Sequence, residues 1–300
     1  MEIRVENLRR HFGATRAVDG ISFTFRSGQI VGFVGPNGAG KTTTMRILAT
    51  ADEPTEGDAF IDGASVVQEP EKVRSRVGFM PDYLPGHRDI SVHEYLDFFA
   101  RAYSVPSARR RAVVEQVEEF TNLMGIRQKT LAALSKGMKQ RVSLARSMVH
   151  DPAVLILDEP AAGLDPRARV ELRELLKVLA ERGKAILISS HILTELSEIC
   201  DATVIIEQGR IIRAGTMAEI IASDAPLRTV LVRTRGNAGD LHKALLQMPG
   251  VTAARIAGAH VEVDIEGDEE ACQVLLAGLV RQGLPIVEFA CRKTGRRRSS

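Results

Sequence analysis

The amino-acid sequence predicts an α/β chain. It has a mostly parallel sheet with an antiparallel layer beside it and a helical insert, followed by a small α+β unit. Three observations carry that expectation. Residues 30–48, IVGFVGPNGAGKTTTMRIL, run from a short apolar strand through a glycine-rich loop into a helix. The runs AVLIL at 153–157 and AILISS at 185–190 are continuously apolar, as strands buried on both faces are. Residues 226–291 have the order β-α-β-β-α-β, the ferredoxin-like arrangement.

Along the chain, Ile3 and Val5 first alternate with Arg4 and Glu6, a half-buried strand over 2–8. Ile21, Phe23 and Phe25 repeat the alternation, and Ser27-Gly28 turns the chain into the strand 30–34. These first strands are expected to form the antiparallel layer. Phe12, ahead of Gly13, reads either as a core aromatic or as a platform for a nucleobase. Residues 52–63, with Pro54, Gly57 and Gly63, read as turns, and VGFMPD at 77–82 as a strand ending at Pro81. Helical periodicity then covers 91–103, 107–124 and 138–149, with Ser91 and Glu94 forming a capping box. Tyr95, Phe98, Phe99 and Tyr103 are spaced for one helix face, either a local core or a groove for a partner helix. Asp165-Pro166 supplies an N-cap and first position to a helix whose apolar side is Val170, Leu172, Leu175, Leu176 and Leu179, and Gly183 ends it. Residues 203–207 and 210–213, around Gln208-Gly209, read as a hairpin. Beyond residue 226 the strands are LRTVLVRT, 251–256, 260–265 and 285–290, and the helices 239–248 and 268–282. The tail RKTGRRRSS is expected to be solvated, with contact to anionic lipid headgroups as the alternative.

Three hundred residues, 44% hydrophobic and 26% charged, describe a globular chain long enough for two domains. Forty Lys and Arg against 38 Asp and Glu leave a net charge of +2, which argues against a nucleic-acid binder. No apolar run is long enough to span a membrane, and Glu2, Arg4 and Glu6 interrupt any signal-peptide pattern. Cys200, Cys272 and Cys291 are far apart; no disulfide framework is expected, as in a reducing compartment.

The chemistry concentrates at the ends of strands. Gly35, Gly40, Lys41 and Thr42 satisfy G-x-x-x-x-G-K-[ST], the phosphate-binding P-loop, in its strand–loop–helix context. Its glycines let successive backbone N–H groups turn toward an anion, and the helix that opens at Lys41 adds the positive end of its dipole. Lys41 is placed for the β- and γ-phosphates and Thr42 for Mg²⁺. Asp158 and Glu159 come directly after one buried strand, and His191 after the next. In a parallel sheet those carboxyl ends share one edge, where ligands bind, so a single composite site is expected. LSKGMKQR at 134–141 places Ser135 and Gly137 just before a helix, as an N-cap or a second anion site.

In this order and spacing the motifs resemble those of the ATP-binding subunits of ABC transporters, in particular the type that serves a separate ABC-2-type permease. The resemblance covers residues 1 to about 220. It implies an ATP-binding domain at 1–220 with a helical subdomain at about 83–150, leaving 226–291 as an accessory domain and 292–300 as a basic tail. Gly35, Pro36, Asn37, Gly38, Ala39, Gly40, Lys41, Thr42 and Thr43 match the Walker A loop that holds ATP. Ser135 and Gly137 match the signature motif, Asp158 the Walker B metal site, Glu159 the general base, Asp165 the D-loop and His191 the switch histidine. Phe12 falls where the family stacks adenine on an aromatic, commonly Tyr. The resemblance further implies a head-to-tail homodimer with ATP and Mg²⁺, on the cytoplasmic face of the membrane, driving export through the permease and binding no nucleic acid. Three positions depart from the pattern. Asp82 stands where the family usually has the Q-loop Gln, still able to help hold Mg²⁺ or the attacking water, and the signature reads Leu-Ser-Lys-Gly-Met, with Lys136 for a glycine and Met138 for a Gln. ATPases of the superfamily that act on DNA or ribosomes are a rival class, but the interval from 42 to 134 is too short for the coiled-coil insertion of the DNA-repair members. A regulatory module without turnover is another, against which Glu159 and His191 speak.

Overall fold

The computed structural model describes residues 1–83, 89–223, 227–258, 260–267 and 269–293. The chain divides into two compact units, Met1–Ile220 and Ile221–Ser300. At the N-terminus β1 (Glu2–Phe12) and β2 (Thr15–Arg26) form a long hairpin, β3 (Ile30–Val34) enters the glycine loop, and α1 (Lys41–Leu48) leaves it. β4 (Glu56–Ile61), β5 (Ala64–Ser65) and α2 (Pro70–Arg74) lead to β6 (Val77–Met80). The helical insert is α3 (Val92–Ala102), α4 (Ser107–Phe120) and α5 (Lys136–Met148). β7 (Val154–Leu157), α6 (Pro166–Glu181) and β8 (Ala185–Ser190) return to the sheet, followed by α7 (Leu193–Leu196). β9 (Ala202–Glu207), β10 (Arg210–Thr216) and α8 (Met217–Ser223) come next. Then come β11 (Leu227–Thr234), α9 (Ala238–Leu246), β12 (Val251–Ala257), β13 (His260–Glu266), α10 (Glu269–Arg281) and β14 (Ile286–Lys293).

The central sheet has the order β10-β9-β3-β8-β7-β6, parallel except for β10 at the edge. Its middle strands are buried on both faces, and alternate residues serve different layers. Val31, Phe33, Val154, Ile156 and Leu187 pack toward α1 and the antiparallel sheet β2-β1-β4-β5. Ile30, Leu155, Leu157, Ile186 and Ile188 pack toward Leu176 and Leu179 of α6. The helical insert has a separate core around Tyr95, Leu96, Val114, Leu131 and Val142. Ser91 begins α3 with both halves of the expected capping box in place. Asp165 caps α6 ahead of Pro166, and Gly183 lies just past its end with φ +85°, a turn that suits glycine. In the second unit the sheet order β12-β13-β11-β14, antiparallel throughout, is that of the ferredoxin-like fold.

Four expectations need correction. Residues 52–63 are not all turn: Glu56–Ile61 is a strand paired with β1. The backbone of Glu6 and Asn7 lies close against Gly57, where a side chain would not fit, and Ala59 and Ile61 are buried beneath the sheet. The aromatics of α3 do not share one face. Tyr95 is fully buried, with Phe99 edge-on to its ring at 4.9 Å, whereas Phe98 is 57% exposed. Cys272 and Cys291 are joined by a disulfide. They are 19 residues apart in sequence, and only the packing of α10 against β14 brings their Cα atoms to 6.9 Å. The inference of a reducing compartment from cysteine spacing therefore has no support. Last, β14 runs on through Arg292 and Lys293, which pair with Thr229 and Arg228. Arg296, Arg297 and Arg298 lie outside the described residues.

His150, at the end of the insert, gives the fold a pH dependence. Its ring stacks on Tyr103 at 3.7 Å and its Nε2 lies 3.1 Å from the Val77 carbonyl oxygen. Burial pushes the imidazole pKa down from 6.5 to about 4, against the opposing pull of that hydrogen bond. The unfolded chain therefore binds more protons than the folded one between those values. This part of the stability is complete above pH 6.5 and is lost as pH falls toward 4. The loss is up to about 3 kcal/mol, at about 1.4 kcal/mol per pH unit. Urea denaturation at stepped pH is expected to show the decline in the native chain and a shallower one in His150→Gln.

Candidate active site

The register of the central sheet decides where the polar groups fall. Val34 pairs with Ser190, Leu157 with Ile188, and Met80 with Leu157. The next residues along each strand, Gly35, His191, Asp158 and Pro81, therefore emerge at one edge. Gly35 donates its N–H to Ser190 O at 3.3 Å, and Asp158 donates its own to Met80 O at 2.8 Å.

The loop after β3 is shaped for close approach. A Cβ on Gly35 would fall 2.2 Å from the Ile206 carbonyl oxygen, and one on Gly40 2.4 Å from that of Ala17. Gly38 and Gly40 have φ of +80° and +107°. Pro36, Asn37 and Gly38 are exposed while Ala39 and Gly40 are buried, so the rim faces outward from a fixed base. α1 starts at Lys41 with Gly40 as N-cap, and no side chain caps it. Its first-turn amides are thus aimed at the loop with the helix dipole behind them. Lys41, only 6% exposed, donates from Nζ to Gly35 O at 2.7 Å and Pro36 O at 3.3 Å. Thr42 is exposed at the mouth, Thr43 is half-buried beside it, and Thr44 is spent on a hydrogen bond to Gly40 O.

Facing the loop are the acids. Asp158 is buried; Glu159 is half-buried, with φ +47°, a left-handed conformation that costs a non-glycine residue about 1 kcal/mol. Ser189 ties the pair together. Its Oγ donates to Asp158 Oδ1 at 2.7 Å and accepts the Glu159 N–H at 2.7 Å. Glu159 Oε2 lies 3.0 Å from His191 Nδ1, and Oε1 lies 3.5 Å from Lys41 Nζ. Asp158 Oδ2 and Glu159 Oε1 are buried and find no hydrogen-bond partner among the described residues. A carboxylate so placed calls for a cation or a donor. Asp82 is exposed at the same edge. Partial desolvation, then the charges of Asp158 and Glu159, raise its carboxyl pKa, while Lys136 opposes the rise.

The remaining sequence-predicted residues make no hydrogen bond or ion pair with this cluster among the described residues. Ser135 is exposed and caps α5, accepting the Met138 N–H at 3.4 Å. Gly137 backs onto Leu164, and the Lys136 side chain lies across Gly163. Asp165 accepts the Ala168 N–H at 2.9 Å. Phe12 is 49% exposed at the tip of the β1–β2 hairpin. Among the described residues no hydrogen bond or ion pair joins Ser135 or Gly137 to the loop 35–43.

Residues 18–162 match the family model described as ABC transporter. The chain is 39% identical over 222 residues to Nod factor export ATP-binding protein I of Ralstonia nicotianae, covering 74% of this chain and 69% of that protein. The same identity and span relate it to Nod factor export ATP-binding protein I of Burkholderia lata, of which 73% is covered. Among solved structures, the ATP-binding subunit of an ABC transporter is similar with a TM-score of 0.68 at 29% identity, covering 75% of this chain and 93% of that one. The protein cbiO1 from Clostridium perfringens, part of the ABC transporter complex cbiONQ, is similar with a TM-score of 0.67 at 27% identity, covering 82% and 95%. This chain belongs to the ABC transporter ATP-binding family. It is the ATP-binding subunit of an ABC transporter and an ATPase.

For an ABC ATPase, two features of the site were not legible in its sequence motifs. Ser189 ends the apolar run of the histidine-bearing strand, and its two hydrogen bonds fix both acids at once. The only sequence signal is a pair of serines, Ser189 and Ser190, where a buried strand would otherwise continue apolar. The second is the neighbourhood of Lys136, in the signature, and Asp82, at the Q-loop position: Lys136 is close enough to oppose, by a minor part, the upward shift of the Asp82 carboxyl. Ser189→Ala is expected to lower ATP turnover about ten- to a hundredfold, the usual loss when a supporting partner of functional carboxylates is removed, with ATP affinity nearly unchanged. Gly35→Ala is expected to abolish ATP binding, because the loop must move off Ile206; equilibrium binding of ATP checks both variants.

Proposed function

We propose that this chain is the motor subunit of an exporter, working as a head-to-tail pair of identical copies on the cytoplasmic face of a separate ABC-2-type permease. ATP binds at Gly35–Thr43 of one copy, and Ser135 and Gly137 of the other close over the γ-phosphate. The exposure of Ser135 and its lack of bonds to the chain's own loop among the described residues support that division of labour. The start of α5 is then an anion site offered to a neighbour. The names of the relatives, which are export ATP-binding proteins, support the direction. No described helix is long and apolar enough to cross a membrane, which suits a subunit that docks on a membrane partner. Tyr83, 65% exposed, and Phe98, 57% exposed, place apolar surface on the segment near 82–103, the candidate contact with the permease.

Within the site Lys41 and the loop amides neutralise the phosphates, and Phe12 takes the base. The orphaned Asp158 Oδ2 and the exposed Thr42 hydroxyl, both at this edge of the sheet, suit a hard cation with oxygen ligands, so Thr42 and Asp158, with Asp82 at the rim, would hold Mg²⁺. When bound, Mg²⁺ supplies charge neutralisation across the phosphate oxygens. Glu159 positions a water and accepts its proton as the water oxygen attacks the γ-phosphorus. The bond to the β–γ bridging oxygen breaks, leaving ADP and phosphate. His191, hydrogen-bonded to Glu159, orients that carboxylate and reports on the γ-phosphate. Asp165, at the start of α6 on the same chain segment as Glu159, would connect the two sites of the pair.

The observation that carries this reading is the placement of Glu159 between Lys41 and His191, with its backbone pinned by Ser189. Glu159→Gln is expected to keep ATP binding, lose at least about a hundredfold in turnover, and accumulate a dimer on ATP in gel filtration. A variant that turns over ATP normally removes Glu159 from the role. Asp82→Gln removes a negative charge beside the γ-phosphate. It is expected to shift the Mg²⁺ concentration giving half-maximal ATPase activity by several-fold; an unchanged Mg²⁺ profile contradicts a part for Asp82 at the metal.

A further inference from the structure

The base platform has a device behind it that the motif reading does not use. Phe12 ends β1, and on the same strand two residues earlier Arg10 lays its guanidinium over the Phe12 ring, 4.6 Å from the centroid. The Arg10 head group is also held by Asp52, whose Oδ1 lies 2.8 Å from Nη2. Both partners are largely buried, at 24% and 20% side-chain exposure. Arg10 Nε is buried with no hydrogen-bond partner among the described residues, so the polar hold on this guanidinium comes through Nη2 and Asp52 while the group lies over the ring.

Asp52 is itself fixed. The loop that carries it folds back on the end of α1, where Ala51 N–H meets Arg46 O at 2.8 Å. The same loop is tied to the strand by Thr55 N–H to Arg9 O at 2.7 Å and by His11 N–H to Thr55 Oγ1 at 3.0 Å. The helix whose first turn faces the phosphate loop therefore also positions, through its far end, the cation that holds the ring. α1 spans eight residues, about 12 Å.

We propose that Arg10 and Asp52 form a clamp that pre-organises Phe12 to stack on the nucleobase, with the guanidinium on one face of the ring and the base on the other. The clamp rests on the reading of Phe12 as the base platform. Phe12 lacks the hydroxyl by which a tyrosine at this position can be anchored, and at 49% exposure little else fixes its rotamer. A planar guanidinium pinned by a carboxylate supplies that anchor through stacking and cation–π attraction. Fixing the ring before binding removes an ordering cost from the base contact. Arg10 is thus a positioning residue: it acts on the base through Phe12 and leaves the phosphates alone.

The test compares binding of ATP with that of inorganic tripolyphosphate, which has no base, to the full chain. Phe12→Leu, Arg10→Ala and Asp52→Asn are each expected to weaken ATP about three- to tenfold and to leave tripolyphosphate unchanged. The double variant Phe12→Leu/Arg10→Ala is expected to bind ATP no more weakly than Phe12→Leu alone, because the guanidinium has no ring left to hold. Arg10→Lys keeps the ion pair and loses the plane, so it is expected between the native chain and Arg10→Ala; it carries the same comparison if Arg10→Ala fails to fold. An Arg10→Ala chain with unchanged or tighter ATP binding overturns the clamp, as does equal weakening of ATP and tripolyphosphate. If Phe12→Leu itself leaves ATP unaffected relative to tripolyphosphate, the platform reading fails, and the clamp with it.

Discussion

The parallel pairing of β3, β8 and β7 is the constraint on which the rest depends. Because Val34 stands opposite Ser190 and Leu157 opposite Ile188, the glycine loop, the acid pair and His191 leave the sheet at one level. A slip by one residue in either pairing would exchange the side chains that each strand gives to the two buried layers, so the two cores hold the register. The geometry of the proposed site is in this sense a by-product of hydrophobic packing. Val31, Phe33, Ile156 and Leu187 on one side, and Ile186, Ile188, Leu155 and Leu157 on the other, leave the strands no alternative.

Charge explains how the edge is used. Lys41, buried, sits between the loop carbonyls and Glu159, while Asp158 and Glu159 each keep one buried oxygen without a hydrogen-bond partner among the described residues. Such a site is under-neutralised around its carboxylates and rich in donors around its loop. A polyanion accompanied by a divalent cation satisfies both deficits, and neither does so alone. The left-handed backbone at Glu159 fits the same logic, since the strain aims its carboxylate across the edge at Lys41 and His191. Asp82 adds a third carboxylate at the rim, where partial desolvation and the charges of Asp158 and Glu159 raise its pKa despite a smaller opposing contribution from Lys136.

Much of this could be read from the chain itself, for reasons that differ by element. The glycine loop, the twin acids and the Asp165-Pro166 cap are local signals, each set by backbone sterics or by the need to satisfy a helix end. The ferredoxin-like order of the second unit was legible because its alternation and turns recur in sequence. β4 was missed because Pro54, Gly57 and Gly63 dominate its neighbourhood, and pairing with β1, not propensity, makes it a strand. Ser189, the Cys272–Cys291 link and the Arg10–Phe12 contact all join positions whose meaning depends on tertiary placement. The aromatic helix shows the limit of periodicity: spacing put Phe98 with its neighbours, and packing left it outside the core.

The central claim is that two copies share each nucleotide. Its most direct test is a structure of the full chain with ATP bound in the hydrolysis-impaired state. The expected result is a terminal phosphate lying between Lys41 of one protomer and the Ser135 turn of its partner. A triphosphate held by Gly35–Thr43 while the serine turns of all neighbouring copies face solvent would contradict it.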